Sequence, residues 1–135
     1  MRNIANVIAG TGVLVVLTAA PFSVPTAAAQ GGSLPSAATC KENPTDPVTQ
    51  GGCLVLDRKK GNCAACHQIP GATAYGNIAP PLVGMQHRFP DRSKLRAQVA
   101  DPALANPHTV MPPFGKNQIL SGDEIDKVVD FLMTL

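Results

Sequence analysis

Apolar positions recur most regularly near the end of the chain. Ile125, Val128, Val129 and Leu132 stand at i, i+3, i+4 and i+7, which on a helix form one stripe facing a core. Asp123, Asp126, Lys127 and Asp130 take the remaining, wet face. Ser121 and Glu124 have capping-box spacing, and Leu120 with Ile125 supplies a hydrophobic staple, so this helix has a defined start. Upstream, Leu95 and Val99 lie four apart and predict a helix from Arg92 to about Ala100. Asp91 is its cap, and Asp101-Pro102 ends it because the residue before a proline avoids the helical region. Leu54, Val55 and Leu56 predict a short helix over Gly52 to Lys60. Arg58, Lys59 and Lys60 would complement the dipole at its C-terminal end, and Gly61 would stop it. No segment alternates as a strand does, so the expected class is all-α, a small helical domain with long loops.

The gaps between these patterns are rich in turn formers. Pro70 to Gly84 is punctuated by Pro70-Gly71, Gly76-Asn77 and Pro80-Pro81, and a second proline-rich loop runs from Pro102 to Phe114. Gln30 to Gln50, rich in Gly, Pro, Ser and Thr, reads as an extended arm or linker. The start of the chain differs again. Arg2 precedes an uncharged apolar run from Ile4 to Ala20, broken by Pro21 and Pro25 and followed by Ala27-Ala28-Ala29. That is the order of a secretory signal peptide, cut after Ala29. The expected organisation is a signal peptide over 1–29, an arm over 30–51 and one domain over 52–135. Export implies the periplasm, with no stable membrane insertion after cleavage.

Composition narrows the function. The formal charge is +2, and without Arg2 it falls to about +1, too small an excess for a nucleic-acid partner. The chain has no Trp, one Tyr (Tyr75) and four Phe, one of them in the leader. Such a chain lacks the rings that usually fill a small core, and a bound apolar cofactor would supply the missing volume. Of the four cysteines, Cys40 and Cys53 lie outside any motif. In an oxidising compartment a bridge between them would close a loop of about 14 residues, worth about 3 kcal/mol in the chain-entropy picture. A bridge to another subunit and a free thiol are the competing readings; Ser36-Ala37-Ala38-Thr39 is a poor context for a lipid anchor at Cys40.

The other two cysteines lie in Cys63-Ala64-Ala65-Cys66-His67, the attachment pattern of c-type haem. Two thiols three residues apart on one turn can each form a thioether with a haem vinyl group, and the adjacent imidazole can then reach the iron. A zinc site would need further ligands, and a thioredoxin-like pair would need a strand-helix-strand setting. Met111, in the stiff run Met111-Pro112-Pro113-Phe114 before the last helix, is the candidate for the opposite side of the iron. Met85, His87 and His108 are its rivals. Met133 is core filler.

Taken together these residues resemble the class I cytochrome c family from Gly52 to Leu135. The resemblance implies a cytochrome c domain with one covalent haem c. It also implies a proline whose carbonyl accepts a hydrogen bond from the ligand imidazole, fixing its tautomer. In Ala79-Pro80-Pro81-Leu82-Val83-Gly84 that residue is Pro80, and Leu82 is a haem contact. The family has glycine where Ala79 stands, which leaves the turn there open.

Pro80 to Met85, Arg88 to Arg92, Asn106 to Phe114 and Ile125 to Leu132 are similar, more narrowly, to the monohaem subunits of periplasmic thiosulfate-oxidising cytochromes. That similarity implies an electron-transfer subunit, not catalytic on its own. Its partners would be a second subunit with the catalytic haem, a carrier protein whose cysteine receives thiosulfate, and a soluble cytochrome c acceptor. The alternatives are a free-standing electron shuttle and a haem that binds a small ligand directly; Met111 speaks against the latter. Arg88, Arg92, Lys94 and Arg96 gather the positive charge, either as an ordinary solvated helix face or as an interface or propionate contact.

Overall fold

The structure, a computed structural model, describes residues 32–135. The expected signal peptide over 1–29 lies outside the described residues. In chain order the helices are α1 (Ala37–Lys41), α2 (Pro47–Leu56), α3 (Met85–Arg88), α4 (Arg92–Ala100) and α5 (Gly122–Leu132), with single 3-10 turns at Cys63–Ala65 and Pro102–Leu104. Among the described residues there is no strand, only an isolated parallel bridge between His67 and Ala79.

The C-terminal helix forms as its sequence requires. Ser121 Oγ accepts from Glu124 N while the Glu124 carboxylate accepts from Ser121 N at 2.8 Å. Ile125, Val128, Val129 and Leu132 are all buried. So is Phe131, which the i, i+3, i+4 stripe does not include. Its partner is α2. A Cβ built on Gly51 would run into the Lys127 carbonyl, and one on Gly52 would lie 3.1 Å from the Phe131 ring and 2.5 Å from Pro35. The two glycines thus let α2 cross α5 at backbone distance, and the crossing buries a second side of α5. Val55 is fully enclosed there.

The α2 boundaries differ from those expected. The helix begins at Pro47, with Asp46 accepting from Thr49 N at 2.7 Å, and it stops at Leu56. Asp-Pro at the cap and first position is a strong start signal and overrides the flexible composition around it. Arg58, Lys59 and Lys60 therefore follow the helix instead of closing it. Gly61 is not its stop either: it sits where a Cβ would lie 2.5 Å from the Leu54 carbonyl.

The arm expected to be extended carries α1, capped by Ser36, and contributes the start of α2. Cys40 and Cys53 form a disulfide within the chain, joining these two helices. That pairing leaves Cys40 no sulfur for a lipid. Gly32 N donates to Thr134 O at 2.7 Å, so the arm lies back along the C-terminus.

Helix α4 matches its expected limits, with Asp91 accepting from Ser93 N and Leu95 and Val99 buried. It lies against α5 through charge as well. Arg92 pairs with Asp130 at 2.7 Å and with Asp126 at 3.2 Å, and Arg96 with Asp126 at 2.9 Å. The Arg96 guanidinium, then that of Arg92, holds the Asp126 carboxyl below its ordinary value. Two of the four gathered cations are thus spent on holding α4 to α5.

Candidate cofactor site

The motif begins with a sharp reversal. Asn62 adopts the left-handed conformation at φ 47°, which asparagine tolerates better than most residues, and turns the chain out of the α2 region. Cys66 N and His67 N then both donate to Cys63 O, at 3.2 and 2.9 Å. This makes the motif one helical turn with the two thiols three residues apart. Cys63, Cys66 and His67 are each half-buried, and both thiols are free. Burial pushes the Cys63 thiol up to about 12, so the free group carries its proton at neutral pH. Among the described residues no three His, Cys, Asp or Glu side chains converge on one point.

The following loop folds back over this turn. Gly76 N donates to Ala64 O at 2.8 Å, in a place where a Cβ would collide with the Ala65 carbonyl. Ala79 N then donates to Cys66 O at 3.1 Å and Leu82 N to Gln68 O at 2.8 Å. Those two bonds hold residues 79–82 beside 66–68 and bring the Pro80 carbonyl 2.7 Å from His67 Nδ1. A carbonyl can only accept, so Nδ1 carries the proton and Nε2 is left with a free lone pair. Ala79, where the resembling family has glycine, is not among the positive-φ residues. Nothing at that position therefore requires glycine. Leu82 is buried at 7% exposure. Arg88 Nη1 donates to the Pro81 carbonyl at 2.6 Å and steadies the loop from outside.

Met111 is half-buried and packs against the same apolar core as Cys63. Its backbone N donates to Thr109 Oγ1 at 3.1 Å, and Gln98 Nε2 reaches its sulfur at 3.8 Å. The rivals are placed otherwise. Met85 is 2% exposed, inside the core at the start of α3, while His87 and His108 are exposed. Gln98 had no sequence signal as part of this site, because its relation to Met111 exists only once α4 is docked.

The donor set suits a covalently held iron porphyrin. Two free thiols share one turn, an imidazole presents a bare Nε2, and the Met111 thioether is a soft, uncharged candidate for a second ligand. A second observation agrees. Ile78, Val83 and Val110, close along the chain to Pro80 and Met111, stand 71%, 48% and 84% exposed, apolar surface left open among the described residues. Cys63 and Cys66 would hold the group covalently, His67 and Met111 would be its metal ligands, and Leu82 would pack on it.

A family profile described as “Cytochrome C oxidase, cbb3-type, subunit III” matches residues 57–132. Among curated proteins, an uncharacterized lipoprotein of Aquifex aeolicus (strain VF5) is 36% identical over 75 residues. Those residues make up 55% of this chain and 36% of that protein, so the chain spans about a third of the length of this relative. Among solved structures, a chain in the crystal structure of SoxXA from P. pantotrophus superposes with a TM-score of 0.58 at 32% identity. The match covers 67% of this chain and 81% of that one.

Proposed function

The chain belongs to the cytochrome c family whose profile is described as cbb3-type cytochrome c oxidase subunit III, and from that premise we propose that it is the SoxX-like, haem-bearing electron-transfer subunit of a SoxAX complex. The fold is that of a class I cytochrome c, helical and without strands among the described residues. The observation that carries the reading is the clamp of His67 Nδ1 on the Pro80 carbonyl beside the two free thiols. That clamp settles the imidazole tautomer before any metal arrives, which strengthens Nε2 as a ligand. Bound there, one haem c with imidazole and thioether ligands supplies a one-electron couple whose potential the methionine raises.

The chain's own residues do the rest. Cys63 and Cys66 keep the group attached in a domain too small to enclose it. Met111 closes the sixth position, so no substrate pocket is needed. Leu82 and the buried neighbours exclude water from one side.

In the complex, the reaction joins thiosulfate to a cysteine of the carrier SoxYZ. An S–S bond forms, the thiol loses its proton, and two electrons leave. The SoxA partner holds the site of that L-cysteine S-thiosulfotransferase chemistry. This subunit is not catalytic by itself and hands the electrons, singly, to a soluble cytochrome c in the periplasm. One feature favours a resident subunit over a free shuttle. Arg92 and Arg96 are engaged with Asp126 and Asp130 instead of forming an open basic ring for steering.

Coproduction in a periplasm with SoxA tests this. The chain is expected to copurify as a heterodimer, to carry the added mass of one haem, and to become reduced when thiosulfate and SoxYZ are added together. A haem-loaded chain that stays monomeric and is reduced only by unrelated donors would make it a free-standing shuttle. A chain of bare polypeptide mass would remove the cofactor altogether.

A further inference from the structure

A thioether sulfur has two lone pairs, and an axial bond to iron uses one. At Met111 the other has a partner. Gln98 Nε2 lies 3.8 Å from the sulfur, within the longer reach of an N–H···S hydrogen bond. Sulfur here only accepts, so the amide nitrogen is the end of Gln98 that it attracts.

Gln98 is well placed to hold that position. Its neighbours on α4, Leu95 and Val99, are 2% and 3% exposed, and Arg92 and Arg96 fasten the same helix to α5. The glutamine stem thus rises from a fixed base. The methionine loop is fixed from its own side by short-range caps. His108 N donates to Asn106 Oδ1 at 3.1 Å and Met111 N to Thr109 Oγ1 at 3.1 Å. Those caps orient the backbone and leave the side-chain torsions free. Gln98 is the hydrogen-bond donor the structure gives the sulfur itself.

We propose that Gln98 is the positioning residue for Met111, donating Nε2–H to the sulfur so that one defined lone pair faces the iron. The inference rests on Met111 being the sulfur ligand. It has an electronic consequence as well. The positive end of an N–H dipole beside the ligand disfavours the additional positive charge of the oxidised state, so Gln98 holds the reduction potential up.

The test uses the haem-loaded full chain and reads the midpoint potential together with the weak far-red band of methionine-ligated oxidised haem. Gln98→Leu is expected to keep the haem, shift the potential down and weaken or shift the band, with little change in thermal stability. Gln98→Glu, near in shape but without the donor and with a negative charge, is expected to shift the potential down further. A potential and band unchanged in both variants, with the band present in the parent protein, would overturn the role of Gln98 and leave Met111 as ligand. A parent protein without the band would instead overturn the ligand reading, and the proposal with it.

Discussion

The segment after the histidine, residues 66–84, and the segment that carries Met111, residues 105–119, are the two long loops proposed to face one haem, and they are fastened by different parts of the chain. On the histidine side most bonds run from backbone to backbone, with Arg88 Nη1 adding one from a side chain to Pro81 O. Ala79 N reaches Cys66 O, Leu82 N reaches Gln68 O, and Gly76 N reaches Ala64 O. Even the imidazole is held by a main-chain carbonyl. On the methionine side, side chains hold Met111: Asn106 and Thr109 cap the turn, and Gln98 meets the sulfur. Backbone bonds there are local turns, such as Thr109 N to Asn106 O, except at the far end, where Gly115 N and Lys116 N both donate to Ala100 O. A ligand held by main chain is insensitive to most substitutions, whereas one held by side chains can be adjusted one residue at a time. The first suits a permanent attachment, the second a potential that selection can tune.

The largest break in that contrast is expected from Gly76→Val. The new side chain would collide with the Ala65 backbone, and the loop that carries Pro80 would have to leave the motif. A loss of roughly 3 kcal/mol in denaturant unfolding is expected, of the size seen when a special backbone contact is destroyed. A loss under about 0.5 kcal/mol, as at an ordinary surface position, would show that the approach is not required.

Met111→Ala comes next. It is expected to leave the haem attached, abolish the methionine band and lower the potential, while stability falls by about 1–2 kcal/mol for a half-buried side chain. If band and potential both persisted, a different residue would be the ligand, and exposed His108 would be the first to examine.

The smallest effect concerns the base on which Gln98 stands. Asp126 is held below its usual value by Arg96 and Arg92. Its contribution to stability is therefore present above the unfolded carboxylate value of about 3.9 and is lost as pH falls through the lower folded value. Because these ion pairs are partly exposed, Asp126→Asn should cost less than about 1 kcal/mol at neutral pH. The difference between parent and variant should close in strong acid. A gap that stays constant from neutral pH into strong acid would mean that the pairs add nothing.

Sequence spacing predicts well where the determining interactions are local. The capping box of α5, the Asp91 cap of α4, the one-turn thiol pair and the alignment of Pro80 with His67 all involve residues close in the chain or a family pattern with fixed spacing. The errors have physical reasons too. Asp46-Pro47 carries a helix-start signal that the surrounding Gly, Pro and Thr obscure, and Gly61 reads as a helix stop although its role is the close approach to the Leu54 carbonyl.

By itself, then, the sequence determined the short-range chemistry of this protein: which turns form, which helices start and stop, and which thiols and imidazole share a turn. Tertiary structure decided what depends on one backbone reaching another across the chain. It laid Gly51 and Gly52 against Phe131, joined Cys40 to Cys53 from among the pairings left open, and set Gln98 beside the Met111 sulfur. Contacts of that kind follow from how closely two helices can approach. Residue spacing along the chain does not encode that distance; the absence of a side chain at Gly51 and Gly52 is what permits it.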